Sequence, residues 1–199
     1  MREQGAALVL SLLVIVCLSG LGLGLVAATS AERQIAGNAR GSAATMIAAD
    51  AAIEGVLTEI AAVPDWSTLL AGATSQFHDV THRPLSPARV VLDLDQVTTD
   101  IQADASSTYV LGANTPAWRL FAWGTLAQMA GLAAGDSGVY VAVWVADDPA
   151  DADGSATTDA NATIMLHSEA FGFGATRRST EVVIARAPIG VRVLSWRSK

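Results

Sequence analysis

The stretch that decides the fold is Gly5-Ala6-Ala7-Leu8-Val9-Leu10-Ser11-Leu12-Leu13-Val14-Ile15-Val16-Cys17-Leu18-Ser19-Gly20-Leu21-Gly22-Leu23-Gly24-Leu25-Val26-Ala27-Ala28. It lies within residues 4–31, which contain no charged side chain. As a helix, the apolar part at residues 6–28 would be about 35 Å long, enough to cross a hydrocarbon core of about 30 Å. The sequence therefore predicts a membrane-spanning N-terminal helix that carries the rest of the chain as a head.

Three fates are open for this stretch. A secretory signal needs a positively charged start and an apolar stretch of roughly 7–15 residues before a small-residue cleavage site. Residues 26–28 offer such a site, but Arg2 is offset by Glu3 and the apolar stretch is too long. The other two fates are an uncleaved anchor, and cleavage after Gly5 that leaves the apolar helix at the new N-terminus.

Short motifs spread over most of the chain resemble a single family. They lie at residues 5–13, 28–30, 32–33, 35–38, 48–54, 64–66, 143–149, 169–172 and 194–197. In this order and spacing they resemble PilX-like proteins, the minor, pilin-like components of type IV pilus assembly. The resemblance is densest in the first 60 residues.

The resemblance implies a processing site and a location. A short polar leader that ends in glycine directly before an apolar run is what a prepilin-type peptidase processes, so residues 1–5 would be the leader and cleavage would fall between Gly5 and Ala6. The protein would be a single-pass protein of the bacterial inner membrane with its head in the periplasm, or part of a cell-surface pilus. Its expected partners are prepilin peptidase, other pilins and pilus assembly proteins.

One position departs from the major pilins. In those proteins the fifth residue of the processed chain is usually a glutamate, thought to meet a neighbour's amino terminus, whereas processing after Gly5 would place Leu10 there. PilX-like proteins commonly share this lack. An uncharged helix avoids the cost of a carboxylate in the membrane, but it cannot pair with a subunit above it. The expected role is therefore non-catalytic priming or capping of the filament.

The distribution of charged residues limits the kinds of partner that the protein can bind. Residues 32–176 carry 5 basic and 17 acidic side chains, a net of −12, and residues 177–199 carry 6 basic side chains against Glu181, a net of +5. The net of −7 is too acidic for a nucleic-acid binder. The opposite blocks would attract each other within one head or between stacked subunits. Two solvated faces without a partner explain the pattern equally well.

The periodicity of the remaining chain predicts an α+β, pilin-like fold. Apolar residues recur every three or four positions up to Ile60, so we expect one helix over residues 6–60 that Pro64 ends and whose second half needs a sheet to cover it. Strand patterns at 139–145, 162–171, 179–187 and 189–196 predict an antiparallel sheet within residues 139–199. The pattern at 139–145 is typical of a half-buried strand. Residues 61–138 are predicted to be a loop-rich αβ region, with a weak strand near 89–94 and a short helix near 124–132.

Catalytic patterns are weak, and we predict no enzyme and no catalytic residue. Residues 135–138, with Ser137, are similar to the nucleophile loop of chymotrypsin-like proteases, and His78 or His82 and Asp93 or Asp95 precede them in the matching order. Those spacings leave no room for two β-barrels, and a Gly-Asp-Ser-Gly sequence is ordinary turn composition.

The histidines do not predict a metal site. His78 and His82 would share one face of a helix, but Pro84 and Pro87 predict a loop, and no third ligand is evident. His167 is expected to be a surface or satisfied histidine on a strand.

The acidic loop at residues 147–161 is the remaining candidate site. Its carboxylates are hard oxygen ligands suited to Ca²⁺. An EF-hand does not fit, because Pro149 and Ala160 fall at the first and twelfth ligand positions. We predict no cofactor, and calcium in this loop is the alternative to a merely solvated loop.

Two other classes of function stay open. A single-pass anchored adhesin or receptor would use the same helix to hold a binding head. A membrane-anchored hydrolase would need activity that depends on Ser137 or His82.

Overall fold

The computed structural model describes residues 2–110, 112–131 and 138–199. Its helices are α1 (Arg2–Ala62), α2 (Ser67–Leu70), α3 (Leu94–Thr108) and α4 (Leu126–Met129), and its strands are β1 (Arg119–Thr125), β2 (Tyr140–Asp147), β3 (Thr163–Phe171), β4 (Arg177–Arg186) and β5 (Val191–Ser198). The chain divides into two compact units, Met1–Arg40 and Gly41–Lys199, and α1 contributes to both. We call residues 41–199 the head.

The predicted fold class is confirmed. The described strands form one five-stranded sheet in the order β1-β2-β3-β4-β5, and every neighbouring pair is antiparallel. Short connections allow this sequential order, because antiparallel strands need no crossover. The long helix ends at Ala62, two residues before Pro64, which lacks a backbone N–H and restricts the residue before it.

The second half of α1 covers one face of the sheet. Its buried side chains include Ile53, Val56 and Ile60, which belong to one apolar core with Val143 and Leu166 of the two central strands. Their spacing of three and four residues places them on one stripe of the helix. A close approach at Gly172 accompanies this packing, because a Cβ there would lie 2.5 Å from Thr45 Cγ2.

The expectation of a half-buried strand at 139–145 was wrong. All eight residues of β2 are buried, because α3 covers the other face of the sheet. Tyr140, Ala142 and Trp144 on that face are themselves apolar and pack with Ile101 of α3 in a second core. A continuous apolar run is typical of a strand that is covered on both faces.

The weak strand predicted near 89–94 is not present. Val91 makes only an isolated bridge with Leu85, and α3 begins at Leu94. Asp93 caps this helix by accepting a hydrogen bond from the Gln96 amide (3.1 Å), which satisfies one of the donors left free in its first turn.

The loop-rich description of residues 61–138 also needs correction. This region also contains helix α3 and the edge strand β1, which were not predicted. The short helix predicted at 124–132 corresponds to α4, and a capping box of Thr125 and Gln128 closes its first turn. Residues 132–137 lie outside the described residues. The free edge of β1 is covered by an extended segment, in which the Ser75 amide donates to the Phe121 carbonyl and the Trp123 amide donates to the Phe77 carbonyl.

Candidate functional site

The apolar segment, residues 6–28, presents the largest apolar surface of the N-terminal unit. Large apolar side chains between Leu8 and Val26 are 50–73 % exposed. By length and composition, α1 is long and apolar enough to cross a membrane. An exposed apolar surface of this kind marks a site of contact with lipid or with other apolar helices.

The predicted processing residues lie at the start of this segment. Gly5 and Ala6 fall within the first two turns of α1. Leu10 follows one turn later, with 64 % of its side chain exposed. Residues 7–31 of α1 carry no charged side chain.

The two nearby histidines are held by hydrogen bonds and by an aromatic ring. His78 Nδ1 lies 2.7 Å from the Ser75 carbonyl oxygen, and His82 Nδ1 lies 2.8 Å from Asp95 Oδ1. Both imidazoles pack on Trp123, with ring centroids at 5.2 and 4.8 Å. These contacts give both side chains a structural role beside β1.

The residues of the protease-like pattern have separate positions. Asp93 caps α3, whereas Asp95 pairs with His82 at the surface, where the side chains are 72 % and 44 % exposed. Ser137 lies outside the described residues. An exposed pair lacks the buried acid that orients a catalytic histidine.

A polar cluster lies between α3 and the sheet, beside a cavity of about 180 Å³. Glu169 accepts two hydrogen bonds of 2.6 Å from Arg177 Nε and Nη2, and His167 Nε2 lies 3.2 Å from its Oε1. Burial alone raises the pKa of Glu169, but the hydrogen bonds from His167 and Arg177 outweigh burial and lower that pKa below its usual value. His167 is therefore buried and satisfied.

This cluster was not anticipated from the sequence, although a signal for it exists. His167 and Glu169 are two residues apart and so share one strand face, and Arg177 follows across the hairpin. On the same side of the head, Tyr109 donates a hydrogen bond of 2.8 Å to Glu181, and burial with this bond raises the pKa of Tyr109 to about 12. Arg177, one of the six basic residues between 177 and 199, thus has an acidic partner within the head.

The acidic loop brings carboxylates together at one end of the sheet. Asp147, Asp151 and Asp153 each offer an oxygen within 4.8 Å of the other two. Among the described residues, this is the group of His, Cys, Asp and Glu side chains arranged closely enough to hold a metal ion. Burial raises the pKa of Asp147 to about 7. Interactions with the Asp148 backbone amide and with the Asn114 side chain offset part of this effect, and the negative charges of Asp151 and Asp148 add to it.

Fold and surface together define a class of protein. A long helix with an exposed apolar first part, and a second part packed on an antiparallel sheet, is the arrangement of a pilin-like protein. The acidic loop and the polar cluster beneath α3 both belong to the head.

Comparison with known families supports this class over the N-terminal quarter of the chain. Residues 4–54 match the family described as PilX N-terminal, so the resemblance is confirmed there. The match supports a minor pilin related to the type IV pilus at the level of the family, and that family is in general non-enzymatic. No significant match was found among curated proteins or among solved structures.

Proposed function

We propose that this chain is a non-catalytic minor pilin that primes or caps a type IV pilus from the bacterial inner membrane. The observation that carries the proposal is the apolar segment, which is exposed on all sides and lies within the PilX N-terminal match. Lipid would cover that surface before assembly, and the apolar helices of other pilins would cover it afterwards.

Prepilin peptidase is the proposed processing enzyme, with the bond between Gly5 and Ala6 as its target. The apolar segment begins directly after Gly5, so this cleavage keeps the whole membrane-spanning surface in the mature chain. The head would then lie in the periplasm with a single helix crossing the membrane.

The priming or capping role rests on Leu10. A subunit in the body of the filament would need a group in its helix that pairs with a neighbour, and residues 4–31 offer no carboxylate for this. A subunit at the tip packs only against the subunits below it, and the apolar segment is sufficient for that contact.

The N-terminus of the mature protein tests the proposal. We expect mass spectrometry of the membrane-bound protein to show a chain that begins at Ala6. Gly5→Val should leave a longer precursor that does not enter pili. Gly22→Val is the matched control, because Gly22 lies in the same helix with nothing within 4 Å of an added Cβ, and it should be processed normally.

Other results would point to the alternatives. A mature chain that begins at Thr29 would indicate a secreted protein and contradict the pilin proposal. An uncleaved chain that is absent from sheared pili would favour an anchored adhesin or receptor. A hydrolytic activity that is lost with Ser137→Ala or His82→Ala would be needed to support an anchored hydrolase.

A further inference from the structure

The loop between β2 and β3 concentrates negative charge at one end of the head. Residues 147–159 contain five aspartates and no lysine, arginine or histidine: Asp147, Asp148, Asp151, Asp153 and Asp159. No salt bridge among the described residues involves any of the five. Like charges at this spacing repel one another unless a cation neutralises them.

Backbone amides hold the central carboxylate of the loop in place. Asp151 Oδ1 accepts a hydrogen bond from the Asp153 amide (3.2 Å). Asp151 Oδ2 accepts from the amides of Ala160 (2.8 Å) and Asn161 (3.2 Å). The two ends of the loop are thereby drawn around Asp151, and the oxygens of Asp147 and Asp153 lie within 4.8 Å of its own.

A separate observation comes from Asp147, the last residue of β2. Its side chain is completely buried, and Oδ1 has no hydrogen-bond donor among the described residues. Oδ2 accepts a hydrogen bond from Asn114 Nδ2 at 2.5 Å, and the same amide nitrogen donates to the Ser155 carbonyl at 3.0 Å. A buried carboxylate oxygen without a donor costs free energy, and a bound cation removes that cost.

We propose that Asp147, Asp151 and Asp153 bind a calcium ion through the free Oδ1 of Asp147 and one oxygen from each of the other two. Two oxygens on opposite sides of Ca²⁺ lie about 4.6–5.2 Å apart, so the observed separations suit this ion. Asp153 is exposed, which leaves an open side where water completes the coordination.

The carboxylate oxygens of the three aspartates favour calcium over other metal ions. Carboxylates are hard ligands, and the cluster contains neither the imidazole nor the thiolate that zinc and copper favour. Mg²⁺ demands near-ideal octahedral geometry at 2.0–2.1 Å and gives up its water reluctantly, whereas Ca²⁺ accepts irregular sets of 6–8 oxygens. A solvent-open site of three aspartates is expected to bind Ca²⁺ with a Kd of about 10⁻⁴–10⁻³ M, as extracellular modules do.

Binding and stability of the full chain in detergent test the proposal. Equilibrium dialysis with radioactive calcium should show one ion retained per chain, after subtraction of a detergent blank. Thermal unfolding followed by circular dichroism should show a Tm higher by about 5–11 °C when CaCl₂ is raised to 100 times the Kd. MgCl₂ at the same ionic strength should bind at least about tenfold more weakly.

Three variants locate the site. Asp151→Asn and Asp153→Asn should each weaken calcium binding at least about tenfold and abolish the shift in Tm. Asp153 is exposed, so its variant is expected to keep the fold even if the loop depends on Asp151. Asp104→Asn, an exposed acid on α3 outside the loop, is the matched control and should bind calcium like the wild type.

Several outcomes would overturn the proposal. These are wild-type protein that retains no calcium, magnesium that binds equally well, or a folded Asp153→Asn variant that binds calcium as the wild type does. None of them bears on processing at Gly5 or on the pilin proposal, because the loop belongs to the head and the processing site to the N-terminal unit.

Discussion

The two parts of α1 differ in what covers them. Between Ala7 and Arg40 no residue of the helix is buried. Between Ala48 and Ile60, six apolar residues are completely buried: Ala48, Ala49, Ala52, Ile53, Val56 and Ile60. The first part is more apolar, yet the described residues bury none of it, whereas the second part packs on a sheet.

This difference shows that the pattern of apolar residues, more than their number, indicates where a helix lies. The apolar segment is hydrophobic on all sides, which is typical of a membrane span. The second part has a single apolar stripe, with Glu54 and Glu59 among the residues between its members. A stripe of that width needs one covering layer, which the head provides.

The largest expected effect is a loss of stability when a buried residue in the second part of α1 is truncated. Ile53→Ala should lower the free energy of unfolding of the head by about 2–5 kcal/mol, because it leaves a cavity in the core. Ile15→Ala, at an exposed position of the apolar segment, should leave the stability of the head unchanged. Tryptophan fluorescence during urea unfolding is a suitable measurement, since all five tryptophans lie between residues 66 and 196. Equal effects of the two substitutions would mean that the contrast in burial is wrong.

Leu10 tests what covers the first part. Leu10→Glu would place a charge in the membrane at a cost of up to about 2.5–3.5 kcal/mol, the value for the centre of a spanning helix, unless an amine of a neighbouring subunit pairs with it. We expect a lower share of this protein in sheared pili, whereas Leu10→Ala, which removes only apolar packing, should still assemble. A higher share of the Leu10→Glu protein along the filament, relative to the major pilin, would indicate a position in the body and exclude the tip.

The next prediction concerns a polar contact for which the first part of α1 has no counterpart. Glu169→Gln should destabilise the head by about 2 kcal/mol at pH 7, because it leaves Arg177 without its anionic partner. The loss of stability is smaller than for a fully buried ion pair, because the half-exposed Arg177 side chain can still be solvated by water. The exposed Glu54→Gln is the matched control and should change stability very little.

The stability that the charge of Glu169 contributes should depend on pH. The pKa of Glu169 in the folded protein is lowered, so its charge stabilises the head at a pH above the unfolded-state pKa of about 4.3. That contribution is lost as the pH falls through the lower folded-state pKa. The wild type should therefore lose its advantage over Glu169→Gln as the pH falls below the unfolded-state pKa of about 4.3 and then through the folded-state pKa. A difference in stability that stays constant from neutral pH until the protein unfolds in acid would contradict the assignment.

Sequence patterns predicted the first helix from its long uncharged run and the apolar stripe that follows, and four of the strands from apolar runs bounded by turn residues. The valines at 139–145 alternate, and the hairpin from β3 to β4 is marked by Gly172 and Gly174. The alternation did not reveal that the side chains of Tyr140, Ala142 and Trp144 are also buried. Their burial requires a second layer of structure on that face of the sheet, and helix α3 provides it.

The elements that were missed have weak local signals. Helix α3 contains Thr98, Thr99 and several aspartates, which are poor helix formers. Its buried stripe consists of four residues, Leu94, Val97, Ile101 and Ala105. Strand β1 lacks a clear alternation of apolar and polar residues, and it lies in a region that turn composition dominates. The acidic loop was recognised by composition, but the burial of Asp147 depends on contacts with Asn114, 33 positions away, that periodicity cannot supply.

The smallest expected effect locates where α1 begins to pack on the head. Ser42 Oγ accepts hydrogen bonds from Arg178 Nε (3.0 Å) and Nη2 (2.7 Å). Thr45, the first residue after Ala7 that is buried, lies one turn later. Because the contact is exposed, we expect a coupling of about 0.5–1 kcal/mol between Ser42→Ala and Arg178→Ala in a double-mutant cycle on urea unfolding. Ser30→Ala, in the exposed part of the helix, should show no coupling to Arg178→Ala. An equal coupling at Ser30 would place the start of packing at least three turns earlier and remove the boundary between the two parts.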